Sequence, residues 1–193
     1  MASRRTRVRR QLREFEHKGV LEVDVEEFAG PKSWSDIFGA KGPLELEIGF
    51  GKGEFLRAKA IENPERNYVG IEIDSTRLRW AEYKAFKDEI NNIRFVFGDA
   101  KRLLKALFAD GQVAATYMNF PDPWPKKRHV ARRMICQEMV DELIRIVQPG
   151  GHIFIVTDVS EYAREGLEFL ENRSEFIENT LGKGVIADSL DGY

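Results

Sequence analysis

From residue 44 onward the chain alternates short apolar runs with amphipathic stretches, and this alternation limits the folds open to it. Leu44–Ile48, Asn67–Ile73, Asn92–Phe97, Val113–Met118 and His152–Thr157 have the length and composition of buried strands. Helices are expected from Glu54, over Thr76–Glu89, Ala100–Phe108 and Arg132–Val147, where Pro149-Gly150-Gly151 stops the last, and over Glu161–Asn172. Strands separated by helices pair in parallel through right-handed crossovers, which places helices on both faces of one sheet. The expected fold class is therefore α/β, a Rossmann-like doubly wound and mostly parallel sheet. A chain of 193 residues, 42% of them hydrophobic, suits one such domain with a full core. We assign residues 44–193 to that domain, and residues 1–43 to a basic N-terminal arm and an irregular, Gly- and Pro-punctuated lead-in.

Charged residues make up 32% of the chain for a net charge of only −2, so their distribution matters more than their sum. Residues 1–18 hold Arg4, Arg5, Arg7, Arg9, Arg10, Arg13 and Lys18 against Glu14 and Glu16. In that arm Val8, Leu12 and Phe15 recur about once per helical turn, which suits either a helix with a thin apolar stripe or a disordered basic arm. Residues 126–133 hold five Lys/Arg and no acid, whereas residues 161–193 hold eight acids against three bases. The single Cys136 excludes an intrachain disulfide, and no Cys/His cluster has zinc-ligand spacing, so no metal is expected. No run approaches the roughly 18 apolar residues of a membrane span, and no apolar segment follows the basic N-terminus. A cytoplasmic protein without membrane contact is expected.

In a doubly wound sheet, ligands bind beyond the carboxyl ends of the strands, near the switch in strand order. Three polar signals stand there. Glu47-Ile48-Gly49-Phe50-Gly51-Lys52-Gly53 follows the first strand, and its glycines admit a tight turn and close approach to a ligand, although a plain strand-to-helix turn has the same needs. Glu72 ends the second strand, about 20 residues on, where an acid accepts from a ribose diol or is merely solvated. Asp99 precedes Ala100 after the third strand and either caps the next helix or accepts from an adenine amino group. The dinucleotide pattern asks for glycine where this chain has Glu54, an acid that would repel pyrophosphate at a helix N-terminus. S-adenosylmethionine has no phosphate and carries a sulfonium and an amino group, so these acids favour it as the ligand.

The fourth strand runs into Asn119-Phe120-Pro121-Asp122-Pro123-Trp124-Pro125-Lys126-Lys127-Arg128-His129. Three prolines in five positions end both helix and ladder and force Asp122 and Trp124 toward extended geometry. A carboxylate and an indole on a stiff loop, with cations behind them, suit a site that holds a flat base beside a phosphate backbone. Lys126, Lys127 and Arg128 are expected to bind phosphate, with Arg132 and Arg133 extending the patch. Trp124 stacks on a base or anchors the loop, and His129 packs within it.

Taken together, these motifs resemble the TrmB family of tRNA (guanine-N7-)-methyltransferases. The matching segments are Glu47–Phe55, Gly70–Ile73, Gly98–Ala100, Pro149–Asp158 and above all Asn119–His129, and the resemblance covers about residues 44–170. It implies the class I methyltransferase fold, S-adenosyl-L-methionine as donor, and methylation of a variable-loop guanosine in tRNA. It associates Glu47, Glu72, Asp99 and Asp122 with the donor, Asp122 also with catalysis, and Lys126 and Asp158 with the guanosine. Gly49, Gly51, Gly53, Ala100 and Asn119, at the same strand ends, complete the expected donor site. The family usually continues through a Thr-x-Phe/Tyr-Glu segment into a final strand, whereas this chain stops at Asp188–Tyr193; a sheet short of its last strand is expected.

Guanine N7 carries an in-plane lone pair and no proton at neutral pH, so alignment rather than a strong base is the expected source of rate. Asp122 is expected to offset the positive charge that develops on the base, with help from Asp158. The chain is expected to act as a monomer or homodimer. Three other readings compete. An amino-group methyltransferase is suggested by a loose likeness of Asn119-Phe120-Pro121-Asp122 to the Asn-Pro-Pro-aromatic loops of those enzymes. A non-catalytic RNA-binding protein that keeps the fold, and a dinucleotide enzyme, are the others.

Overall fold

The computed structural model describes residues 21–23, 33–39, 41–124 and 127–171. The basic arm 3–18, Lys126 and the segment 172–193 lie outside the described residues. Its elements in chain order are α1 (Trp34–Phe38), β1 (Leu44–Ile48), α2 (Glu54–Glu62), β2 (Asn67–Glu72), α3 (Ser75–Lys87) and β3 (Ile93–Phe97). There follow α4 (Ala100–Leu107), β4 (Val113–Asn119), a 3-10 turn (Lys127–Arg132), α5 (Gln137–Ile146), β5 (Val147–Val156) and α6 (Ser160–Glu171).

Among the described residues the sheet has five strands in the order β3-β2-β1-β4-β5, and every pairing is parallel. The order reverses between β1 and β4, so a crevice opens where these neighbours send their chains in opposite directions. Strand alternation then sorts the side chains. Leu46, Ile48, Val69, Ile71, Val96 and Met118 enter one core, with α1, α4 and α5. Tyr68 and Phe95 enter the other, with Phe50, Leu56 and Leu78. The sequence Leu-Glu-Leu-Glu-Ile of β1 therefore carries Glu45 and Glu47 on the second face, and both are buried. Gly70, paired with Glu47, is fixed by close approach: a Cβ there would stand 2.5 Å from Phe50 Cδ1 and 2.7 Å from Leu56 Cδ2.

Three departures from the sequence reading have physical causes. The lead-in is structured in part. Val23 N donates to the Phe95 carbonyl and Phe95 N to that of Leu21 (both 2.8 Å), which covers the outer edge of β3. Trp34 of α1 is buried, donates from Nε1 to the Leu107 carbonyl (3.0 Å) and stacks on Phe108. The helix expected over Arg132–Val147 is shorter, Gln137–Ile146, because its first turns are a 3-10 turn and a bend tied to α6. Pro149-Gly150-Gly151 does not separate helix from strand: β5 already begins at Val147, and its register with β4 jumps from Val113↔Val147 to Ala115↔His152. The intervening residues bulge out, and Gly151 leaves only 2.7 Å between a Cβ and the Ala114 carbonyl.

Glu82 of α3 is 1% exposed, and burial, reinforced by the charge of Glu22, pushes its carboxyl up to about 8 against the pull of Arg79. Its ordinary value is 4.5, so its contribution to stability is complete below that pH and is lost as pH rises through about 8. Glu82→Gln is expected to flatten the pH dependence of denaturant midpoints over this window and to stabilise the protein at its alkaline end. Parallel curves for the two proteins would contradict the assignment.

Candidate active site

The site is built where β1 and β4 part. Glu47, one residue before the end of β1, is 2% exposed, and its Oε1 accepts from Asn119 Nδ2 at the end of β4 (3.0 Å). Glu47 Oε2 and Asn119 Oδ1 are buried acceptors with no hydrogen-bond partner among the described residues. Burial raises the Glu47 carboxyl to about 7; the Asn119 bond and a hydrogen bond from the Leu56 backbone oppose that rise, and the charge of Glu72 adds to it. A buried carboxylate and amide with acceptors unmet suit a ligand that brings N–H donors and positive charge.

The loop after β1 is held by Glu72. Gly51 N donates to Glu72 Oε2 (2.8 Å), while Ile73 N and Asp74 N donate to Oε1 (2.8 and 3.0 Å). A carboxylate has about four acceptor positions, so the three N–H groups leave room for roughly one ligand hydroxyl. Gly49 and Gly51 have φ of +72° and +59°, and a Cβ on either would project into open space, so the loop leaves a cradle clear. Gly53 also has positive φ, and its Cβ would meet Ala81 Cβ at 2.8 Å, so it closes the turn onto α3. Lys101 N donates to Asp99 Oδ1 (3.1 Å), so the helix-cap reading of Asp99 holds, with Ala100 buried as the first residue of α4.

Two apolar side chains at the same strand ends escaped the sequence reading. Ile73 is 66% exposed and Phe97 46% exposed, and Phe97 pairs with Glu72 in the ladder. The available signal was an apolar residue placed directly after, or in register with, a strand-end acid. Such residues offer flat apolar walls beside the acceptors.

Past Asn119 the chain takes a strained course, with φ of +50° at Phe120 and +41° at Trp124, so Trp124 departs from the extended geometry expected of a residue before proline. Phe120 N donates to the Val156 carbonyl (2.7 Å), which ties the start of the loop to β5. Asp122 is exposed, and Asp158 is exposed just past the end of β5, the strand next to β4. Trp124 is half-buried with the Arg132 guanidinium 5.0 Å from its ring centroid, and Arg132 itself is exposed. Arg133 departs from the expected phosphate patch, since its Nη1 lies 2.7 and 2.6 Å from the two carboxylate oxygens of Glu165. Arg128 is exposed, and Lys127 opens the 3-10 turn.

Among the described residues no three His, Cys, Asp or Glu side chains gather as a metal site requires. No helix among them is long and apolar enough to cross a membrane.

A family model described as a putative methyltransferase matches residues 41–186. The tRNA (guanine-N(7)-)-methyltransferase of Thermotoga maritima is 40% identical over 147 residues, 76% of this chain and 47% of that protein. The tRNA (guanine-N(7)-)-methyltransferase of Syntrophotalea carbinolica is 37% identical over 168 residues, 87% of this chain and 72% of that protein. The match thus spans about half the length of the first relative and nearly three quarters of the second. In fold, the chain is similar to the precorrin-6y C5,15-methyltransferase of Geobacter metallireducens GS-15, with a TM-score of 0.56 and 17% identity over 79% of this chain and 80% of that one. A sheet whose order reverses at an acid-lined crevice, and a sequence match of this extent, place the chain in the family of the tRNA (guanine-N(7)-)-methyltransferases.

Proposed function

We propose that this chain transfers a methyl group from S-adenosyl-L-methionine to N7 of a guanosine in the variable loop of tRNA. The observation that carries the reading is the buried Glu47–Asn119 pair, with acceptors unmet, at the switch in strand order. Those acceptors match a cationic amino group. The remaining acceptor position of Glu72 matches a ribose hydroxyl, and Ile73 and Phe97 match the faces of an adenine, which Asp99 and Ala100 border. S-adenosyl-L-methionine, bound there, supplies an electrophilic methyl group on a positively charged sulfur.

The protein's own residues then orient and compensate. Guanine N7 needs no general base, so the loop's task is to hold the base in line. Asp122 stabilises the positive charge that the methylated base acquires, and Asp158, past the neighbouring strand end, helps orient the base edge. Lys126, Lys127 and Arg128 pair with tRNA phosphates. Such a reaction belongs in the cytoplasm, where the tRNA is.

Glu47 holds the donor's amino group as a carboxylate, so donor binding lowers its pKa from about 7 and releases a proton. S-adenosylhomocysteine affinity is therefore expected to rise between pH 6 and 7 by up to about fivefold. Glu47→Gln should bind more weakly and lose that slope; a slope kept in the variant would assign the proton elsewhere.

The direct test is transfer of labelled methyl from S-adenosyl-L-methionine to unmodified tRNA, with the product nucleosides identified. Labelled 7-methylguanosine is expected, and Asp122→Asn should lower kcat by about a hundredfold. A methyl group on an exocyclic amine, or bound donor with no transfer, would overturn the reading; unchanged kcat in Asp122→Asn would remove that residue from its role.

A further inference from the structure

Residues 120–136 join β4 to α5, with a 3-10 turn as the one element among their described residues, a connection longer than most compact domains use, and the site's carboxylate Asp122 rides on it. Backbone strain at Phe120 and Trp124 means that the loop's course must be imposed by contacts elsewhere. Its start is tied to β5 through Phe120. Its middle is tied to α4, where Lys101 Nζ donates to the Ala131 carbonyl (3.2 Å). Its end meets one face of α6, formed by Tyr162, Glu165 and Gly166 at helical i, i+3 and i+4 spacing. There the buried Tyr162 hydroxyl accepts from Ile135 N (2.9 Å), and Glu165 takes Arg133 Nη1 with both oxygens. The Arg133 guanidinium also lies 5.5 Å from the Tyr162 ring centroid. Gly166 lets α6 approach closely, since a Cβ there would stand 3.1 Å from Ile135 Cγ2.

Resting on the function proposed above, we infer that Arg133, Glu165 and Tyr162 form a positioning clamp by which α6 sets the course of the Asp122 loop for the incoming guanosine. The clamp gives the loop a fixed end next to Arg132, whose guanidinium covers Trp124, so that order passes back along the loop toward Asp122. The same helix follows directly from Asp158, so one rigid element supports both carboxylates assigned to the base. The Arg133–Glu165 pair is largely buried, 17% and 35% exposed, so removing one partner costs some stability as well as local order. The clamp's role is told apart from a general structural one by where the effect falls: loosening it frees the loop and leaves the sheet around residues 44–72 protected.

The test uses the full chain carrying Glu165→Gln, and the exchanged pair Arg133→Glu with Glu165→Arg. In Glu165→Gln, amide hydrogen exchange of residues 127–136 is expected to quicken by about tenfold while that of residues 44–72 stays unchanged. The kcat/KM for tRNA should fall roughly ten- to a hundredfold, with S-adenosylhomocysteine affinity within about twofold of the parent. The exchanged pair should recover most of both losses. Unaltered exchange in residues 127–136, quickened exchange with full kcat/KM, or equal losses of donor affinity and transfer would each overturn the clamp. If the parent chain transfers no methyl to tRNA, the functional reading is what fails; the exchange rates and their recovery in the swapped pair then decide the clamp alone.

Discussion

The structure depends on keeping a carboxylate in a place where carboxylates are costly. Glu47 sits inside the sheet at the point where strand order reverses, held by a hydrogen bond from Asn119 across the parting strands and by the Leu56 backbone. Leaving the other oxygen unmet has a cost, since a buried polar atom without a partner forfeits its hydration. The raised pKa expresses that cost. A cationic ligand would remove it, so the same feature that weakens the empty site makes the occupied one favourable. The Glu72 carboxylate takes the opposite course: three backbone N–H groups satisfy it, and it uses them to fix the glycine loop and the turn into α3. One acid is poised for a ligand and the other builds the frame around it.

The division of labour follows from strand alternation. In β1, leucine and isoleucine fill one core while Glu45 and Glu47 share the other face. Glu45 is satisfied within the protein, by Arg66 (2.5 Å) and by the Tyr117 hydroxyl (2.9 Å), whereas Glu47, two residues nearer the crevice, is not. A one-residue slip of β1 would carry both acids into the larger apolar core. Gly70 opposite Glu47 and the apolar residues on the far face hold the register that keeps them out.

The first four strands were legible because each is a short run rich in apolar and β-forming residues bounded by glycine, proline or a polar residue, and the Glu47, Glu72, Asp99 and Asp122 positions followed from standing at or near their ends. What escaped the sequence depends on distant partners. Trp34 looks like a loop aromatic until Leu107 and Phe108 are placed against it. Arg132–Ile135 has helical spacing, yet the tie to Tyr162 and Glu165, some 30 residues on, unwinds it into the end of the loop. The same contacts sort a run of five cations by role: Arg133 is bound to α6, Arg132 covers Trp124, and Arg128 stays at the surface. Charge counting cannot make that distinction, because it depends on which acids and rings the fold brings alongside.

The central claim is that the parting of β1 and β4 builds the donor site, with Asn119 as the link between them. Calorimetric titration of S-adenosylhomocysteine into the parent protein and into Asn119→Ala tests it most directly. The account predicts saturable one-to-one binding to the parent and a loss of about tenfold or more in the variant, since both the amide acceptor and its support of the Glu47 carboxylate disappear. Equal affinity in the two proteins, with the fold of the variant intact, would contradict it and move the site away from the strand switch.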